Sequence, residues 1–310
     1  TVEMYLKHGI RLVSAAAFMR MTEALVYYRV KGIHEDPSGS IITPNQIKAK
    51  VSRVEVASQF FSPPPEKLVD RLVARGLITP REAALSRHVP MAQDLTAEAD
   101  SGGHTDNRPA LALLPTMLAL KAQFQSQYSY DHPLCVGLGG GIATPESAAA
   151  AFSMGAAYVL TGSVNQSCVE AGICDHVKAM LCQSQQADVA MAPAADMFEI
   201  GARVQVLKRG SLFPIRAEKL YRFYQAYNGF EALPEAARRE VEEKILQQDF
   251  NLAWQSTRRF FLDTGNPGEV EKAEQDPRHK MALVFRSYLG RSSMWAVTDD
   301  PQRVMDYQIW

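Results

Sequence analysis

The feature that most constrains the fold is a glycine-rich segment between residues 134 and 166. It contains an apolar run from Leu134 to Leu138, three consecutive glycines, an alanine-rich stretch from Pro145 to about Met154 and a second apolar run from Ala157 to Leu160. This order predicts one βαβ unit in which glycine follows both strands. The chain is therefore expected to contain a parallel sheet.

The same segment predicts an anion site. The triple glycine leaves main-chain amides accessible to a ligand, and Thr144 and Pro145 suit the N-cap and first position of the next helix. Gly162 and Ser163 repeat the arrangement after the second strand, and two such neighbouring loops form the usual phosphate site of a parallel barrel. The alternative is that the glycines only permit tight turns. No frame fits a dinucleotide fingerprint or a Walker loop.

Composition excludes several classes of protein. A net charge of −1 gives no basic field for nucleic acid, and there is no apolar run long enough for a bilayer and no signal-peptide pattern. A cytoplasmic protein is therefore expected. The four cysteines are sparse and form no C-x-x-C pair, which favours reduced thiols over bridges or a metal site. The oligomeric state stays open, a homo-oligomer included.

The repeating strand and helix pattern predicts a TIM (β/α)8-type barrel. Further strands are predicted from Arg11 to Ala17, Gln46 to Ser52 and Met91 to Ala97, which makes five parallel strands in all. Because a closed barrel needs eight, the first three are expected upstream of Thr1. Lys50 faces either the barrel mouth or solvent, and strand alternation alone favours solvent.

Two helical regions accompany this barrel portion, which is predicted to span residues 1–190. A helical insertion is expected at about 54–88, and residues 191–310 are expected to form a mainly α-helical subdomain over the barrel mouth. Its predicted helices are Arg216–Tyr227, Pro234–Gln248, Leu252–Leu262, Val270–Gln275 and Lys280–Leu289. A basic cluster there either meets an acidic partner or is a solvated helix face; it comprises Lys208, Arg209, Arg216, Lys219 and Arg222.

The polar loop at 98–109 is the expected place for chemistry, because it follows a strand at the carboxyl face of the barrel. His104 stands in this loop after Gly102 and Gly103. An imidazole there suits general acid chemistry, or it simply hydrogen-bonds a neighbour. Gln93, on the strand before the loop, offers an amide to a flat polar ring.

These residues carry a resemblance. Residues 98–104, the glycines at 139–141 and Thr161-Gly162-Ser163 resemble the FMN-binding barrel of the nitronate monooxygenase (2-nitropropane dioxygenase) family. Over nearly all 310 residues the chain is similar to the trans-acting enoyl reductase subunits of polyketide and polyunsaturated fatty acid synthases. The motifs are Ala-Asp-Ser-Gly-Gly-His-Thr-Asp-Asn-Arg-Pro at 99–109, Gly-Ser-Val-Asn-Gln at 162–166, Met-Ala-Pro-Ala-Ala-Asp-Met-Phe-Glu at 191–199 and Val-Leu-Lys-Arg-Gly at 206–210.

The resemblance implies bound FMN, NADPH as hydride donor and an enoyl thioester on an acyl carrier protein as substrate. It makes His104 the active-site histidine and places Gln93 and Lys50 near the flavin ring. The residues that would hold the FMN phosphate are Gly102, Gly103, Gly140, Gly141, Gly162 and Ser163, and Gly139 joins them in the expected cofactor-binding set.

Three other interpretations remain open at this point. One is a nitronate oxidase that uses O₂ on the same barrel, and another is a flavin-free barrel that binds a sugar phosphate or nucleotide. The third is a non-catalytic scaffold that docks a carrier protein through the basic cluster.

Overall fold

The strand Gln46–Val51 shows how local sequence sets the main sheet. The computed structural model describes residues 1–16 and 20–310, and in it alternate residues of this strand are buried. Lys48 and Lys50 lie on the opposite face. The alternation predicted from the sequence is confirmed.

In the described residues the strands are, in chain order, β1 (Leu12–Ala16), β2 (His34–Glu35), β3 (Ile41–Ile42), β4 (Gln46–Val51), β5 (Asp94–Glu98), β6 (Gly103–His104), β7 (Cys135–Gly139), β8 (Val159–Leu160), β9 (Val189–Pro193) and β10 (Arg203–Leu207). The predicted end of the first strand at Ala17 lies outside the described residues.

The helices there are α1 (Val2–Lys7), α2 (Glu23–Val30), α3 (Val54–Phe61), α4 (Glu66–Ala74), α5 (Pro80–Ser86), α6 (Ala110–Tyr128), α7 (Pro145–Ser153), α8 (Ser163–Gln166), α9 (Asp175–Cys182), α10 (Phe213–Ala226), α11 (Glu235–Glu240), α12 (Phe250–Asp263), α13 (Pro267–Gln275) and α14 (Pro277–Thr298). A π-helical turn, Val241–Leu246, continues α11. No helix in the described ranges is both long enough and apolar enough to cross a membrane.

The chain forms two compact units whose boundaries differ from the predicted one near residue 190. Unit 1 comprises residues 1–101 and 106–162, and unit 2 comprises residues 102–105 and 163–310. The tip of the polar loop thus belongs to a different unit from its two ends.

Unit 1 is built on a five-stranded parallel sheet of order β1-β4-β5-β7-β8. The strands are adjacent in the order in which the chain makes them, as in successive βα units of a barrel. All five were predicted, although β5 begins at Asp94 rather than Met91. Helices α3, α4 and α5 fill the predicted insertion at 54–88.

The buried guanidinium of Arg29 links α2 to the segments that lead into strands β4 and β5. Arg29 is 1% exposed, and its guanidinium donates to the carbonyls of Pro90 and Asn45, both at 2.9 Å. Burial lowers the pKa of Arg29 to about 10, which still leaves it charged near neutral pH.

Unit 2 combines a small sheet with the C-terminal helices. Strands β9 and β10 form an antiparallel hairpin, and β6 pairs with the other edge of β10. Helices α10, α12, α13 and α14 correspond to predicted helices, and α14 extends nine residues beyond the predicted end at Leu289. The helix α9 and the strand β6 were not predicted.

Candidate active site

The glycine turns lie at the carboxyl edge of the parallel sheet. Gly139 in β7 is the register partner of Leu160 in β8, so the turns that follow these strands leave from the same edge. Thr144 caps α7 by accepting from the amide of Ser147, and Pro145 starts the helix, as predicted. The sequence order therefore produces the two neighbouring corners that an anion site requires.

These glycines differ in what surrounds them. A Cβ on Gly140 would lie 2.6 Å from the carbonyl oxygens of Ala99 and Asp100, whereas one on Gly141 or Gly162 would meet nothing within 4 Å. Within residues 1–16 and 20–310, the amides of Gly140 and Gly141 donate no hydrogen bond. The first glycine is thus required by close backbone packing, and the other two face open space.

The inner face of the sheet carries polar side chains next to this edge. The Lys50 ammonium lies 2.8 Å from a carboxylate oxygen of Glu98, and both side chains are mostly buried. Glu98 is in turn the register partner of Gly139. Alternation alone favoured solvent for Lys50, whereas its ammonium pairs with Glu98 on the neighbouring strand and 31% of its side chain stays exposed.

Further from the carboxyl edge, an aromatic ring covers the same face of the sheet. Tyr158 lies over Gly137, where a Cβ would overlap the ring, and its hydroxyl is 3.0 Å from Thr96 Oγ1. Burial raises the pKa of Tyr158 to about 12, and the Lys48 ammonium stands 4.4 Å from the ring centre. The open part of the face therefore lies towards the carboxyl edge.

The end of the polar loop that lies in unit 1 is held within that unit by Asp106. Its carboxylate accepts from Ser52 Oγ at 2.5 Å and from the Arg53 guanidinium at 2.9 and 3.1 Å. Hydrogen bonds from Arg53 and then Ser52 lower the pKa of Asp106 to about 2. A bidentate contact of this kind fixes the loop where it returns to α6.

Gln93 is not brought to this edge. It precedes the amino end of β5, at the opposite edge of the sheet from the glycine turns, and its amide donates to the Pro133 carbonyl at 3.2 Å. Its predicted contact with a flavin ring stays a prediction, and this placement does not support it.

His104 lies in unit 2, where β6 joins the edge of β10 opposite Val204. Its Nε2 is 3.3 Å from Oδ1 of Asp196, and its ring centre is 6.1 Å from that of Trp310. Sequence reasoning did not single out Asp196 as a partner of His104. It stands in the 191–199 motif, but no local pattern shows that this motif meets a loop some 90 positions earlier.

Three other predicted phosphate residues also lie in unit 2. A Cβ on Gly102 would be 2.8 Å from Ser163 Oγ and from the Trp310 carbonyl carbon, and one on Gly103 would be 2.9 Å from the Trp310 ring. The Gln166 amide donates to the Trp310 carbonyl. In the structure, the missing side chains of Gly102 and Gly103 therefore make room for Trp310.

The basic cluster is largely neutralised within unit 2. Arg216 pairs with Asp306, whose side chain is 1% exposed. Three more bases pair with neighbouring acids: Arg209 with Asp188 at 3.5 Å, Lys219 with Glu240 at 2.6 Å and Arg222 with Glu218 at 3.2 Å. These contacts do not favour the scaffold hypothesis, since matched charges offer little to an acidic partner.

Comparisons with known proteins agree with this architecture. The enoyl reductase domain of MlnA from the macrolactin biosynthesis cluster of Bacillus amyloliquefaciens has a TM-score of 0.91 and 36% identity, covering 99% of this chain and 68% of that one. A polyunsaturated fatty acid synthase protein of Thraustochytrium sp. is 46% identical over 100% of this chain, and the polyketide biosynthesis protein PksE of Bacillus subtilis is 43% identical over 99%.

The chain spans only 21% of the Thraustochytrium protein and 40% of PksE. Separately, residues 227–307 match the family model of the inserted helical domain of [acyl-carrier-protein] S-malonyltransferase.

Five parallel strands in chain order, with glycine turns at their carboxyl edge, define an α/β protein of the TIM-barrel type, as predicted. With 36% identity to a solved domain of which it covers 68%, the chain belongs to the enoyl reductase family of polyketide and polyunsaturated fatty acid synthases. The resemblance seen in the sequence is confirmed at the level of the family.

Proposed function

We propose that this chain is part of an FMN-dependent enoyl reductase that acts in trans. In this proposal NADPH supplies the hydride, and the substrate is an α,β-unsaturated thioester on an acyl carrier protein during polyunsaturated fatty acid or polyketide synthesis. The reaction saturates the carbon–carbon double bond next to the thioester carbonyl.

The observation that carries the proposal is the match to the enoyl reductase domain of MlnA over 99% of this chain. The synthase and polyketide proteins among the relatives support a role in such biosynthesis. The match of residues 227–307 to a helical domain of carrier-protein malonyltransferases supports a carrier-bound substrate.

The residues of unit 1 fit the phosphate end of FMN. The amides of Gly140 and Gly141 make no hydrogen bond with residues 1–16 or 20–310, and Gly141 and Gly162 have open space where a Cβ would stand. Bare amides beside a helix start suit a phosphate monoester. When bound, FMN supplies the hydride chemistry that links nicotinamide and carbon–carbon double bond.

The reaction also needs a proton donor. Saturation of the double bond places negative charge on the thioester oxygen, and the α-carbon must then receive a proton. His104 has a half-exposed imidazole and is the proposed proton donor.

The absorption spectrum of the purified protein tests the cofactor. A yellow protein that bleaches with NADPH without air, and recovers its colour with an enoyl thioester, is the expected result. A colourless protein that binds no added FMN would contradict the proposal and favour a flavin-free phosphate-binding barrel. Recovery with oxygen but not with the thioester would favour the nitronate oxidase hypothesis.

Replacing the proposed acid tests the chemistry. His104→Ala is expected to keep bound flavin but to slow enoyl turnover by about 10²–10⁴-fold, the usual contribution of a positioned acid. The matched control is His132→Ala, which removes an exposed histidine from a loop of unit 1. Undiminished turnover in the His104 variant would remove its role.

A further inference from the structure

The imidazole of His104 has two nitrogens with different surroundings. Nε2 lies 3.3 Å from Oδ1 of Asp196. Among the residues that the structure describes, Nδ1 has no hydrogen-bond partner. A carboxylate beside one nitrogen favours the tautomer that carries its proton there, which leaves the other nitrogen for chemistry.

The carboxylate of Asp196 is itself held in place. Oδ1 accepts from the main-chain amide of Met197 at 3.0 Å, and the preceding carbonyl, of Ala195, accepts from Arg286 Nε at 2.9 Å. An ordinary surface pair holds two free side chains in one geometry at an entropic cost. Here the main chain on both sides of the acid is already fixed.

The loop that carries Asp196 is anchored in the core of unit 2. Phe198 is fully buried, and its ring packs against three others, 5.3 Å from Tyr221, 5.3 Å from Tyr224 and 6.5 Å from Phe285. Two main-chain bonds close the loop, from Ala202 to Met197 at 3.3 Å and from Gly201 to Phe198 at 3.0 Å. The acid therefore sits on an element whose position depends on buried packing.

The same small sheet sets the position of the histidine. His104 is opposite Val204 on β10, while Asp196 lies in the loop that joins β9 to β10. Both partners are thus placed by one hairpin. The contact therefore follows from where this hairpin and its register place the two residues.

We propose that Asp196 is the positioning residue for His104, an inference that rests on the proposed role of His104 as the acid. The carboxylate keeps a proton on Nε2 and turns Nδ1 towards the substrate. In the protonation step the imidazolium gives its Nδ1 proton to the α-carbon and remains as the neutral ring with its proton on Nε2, facing Asp196.

The test compares Asp196→Ala and Asp196→Asn with wild type in the full chain. Removing the carboxylate is expected to lower kcat for the enoyl thioester by about 10- to 100-fold, as for other outer partners of functional histidines, with KM within about twofold. The asparagine variant is expected to retain more activity, because its amide oxygen keeps partial negative charge beside Nε2.

The control is Asp188→Asn, an acid beside the same hairpin that pairs with Arg209 and not with His104. Its kcat is expected to match wild type. A second readout needs no turnover: ¹⁵N NMR of the His104 ring at alkaline pH should show Nε2–H in wild type and a shift of the tautomer mixture in Asp196→Ala.

The outcomes are distinct. An active wild type whose kcat and ring signals are unchanged in Asp196→Ala would overturn the inference, as would lost activity with an unchanged tautomer. If wild type reduces no enoyl thioester, the proposed function fails, and the ring signals alone decide whether Asp196 orients His104. Should Asp196→Ala fail to fold, the asparagine variant carries the same comparison.

Discussion

Two glycine turns of this molecule look alike in sequence but differ in the atoms that surround them. Gly140 and Gly141 have φ of +91° and +72°, and Gly103 has +81°, so all three use a backbone region that other residues avoid. At Gly140 the neighbouring atoms are carbonyl oxygens, whereas at Gly103 they belong to the ring of Trp310. Glycine at one turn lets backbone pack closely against backbone, and at the other it makes room for a side chain.

The largest loss of stability is expected at Gly140, where neighbouring backbone leaves no space for a side chain. Gly140→Ala would place a methyl 2.6 Å from two carbonyl oxygens in a strained backbone. The expected loss is about 2–4 kcal/mol in the free energy of unfolding, from overpacking and strain together. Denaturant unfolding measures it. A loss below about 1 kcal/mol would show that the backbone contact relaxes easily.

A side chain at Gly103 should cost less stability when the Trp310 ring is removed. Gly103→Ala is expected to destabilise by about 1–3 kcal/mol, because its methyl meets the Trp310 ring at 2.9 Å. In a Trp310→Ala background the same change should cost about 1 kcal/mol less. A double-mutant cycle of unfolding free energies gives the coupling. Additive effects would mean that Trp310 is not the reason for glycine there.

Gly141→Ala separates stability from binding within the first turn. The methyl meets open space, so only backbone strain of about 1 kcal/mol is expected. If a phosphate lies there, FMN affinity should fall by about tenfold or more, since the methyl enters the ligand's space. Fluorescence titration with FMN measures this. Unchanged affinity would place the phosphate elsewhere.

The smallest effect concerns the ion pair that anchors the loop of the second turn. Asp106 has a lowered pKa, so its contribution is present above its unfolded pKa near 4 and is lost as pH falls towards about 2. Asp106→Asn should cost less than about 1 kcal/mol at neutral pH, since the pair is partly exposed. The unfolding free energies of wild type and Asp106→Asn should converge as the pH falls from about 4 to about 2. A constant difference down to the acid limit would rule out the carboxylate as its source.

Most of unit 1 could be predicted because its signals are local. Strand β4 shows alternation, and the segment from β7 to β8 carries its own turn glycines, N-cap and helix start. The two-residue strand β6 has no such period, and its partner β10 lies about 100 positions away. Only tertiary pairing reveals it.

The site divides in the same way. His104 could be proposed from its loop after two glycines and from the family resemblance, whereas its contact with Asp196 depends on a hairpin loop meeting β6. The pairing of Lys50 with Glu98 was missed because strand parity shows the face but not the neighbour across it. Candidate residues within one segment can therefore be predicted from the sequence, whereas contacts between two distant segments cannot.

The chain crosses between its units at three places, after residues 101, 105 and 162. A truncated polypeptide starting at residue 163 would therefore lack β6 and expose the edge of β10. Exposed edges of this kind invite pairing with other chains. Dissecting this protein into separately expressed halves thus calls for supplying the four-residue tip as a peptide or a graft, not for a single cut.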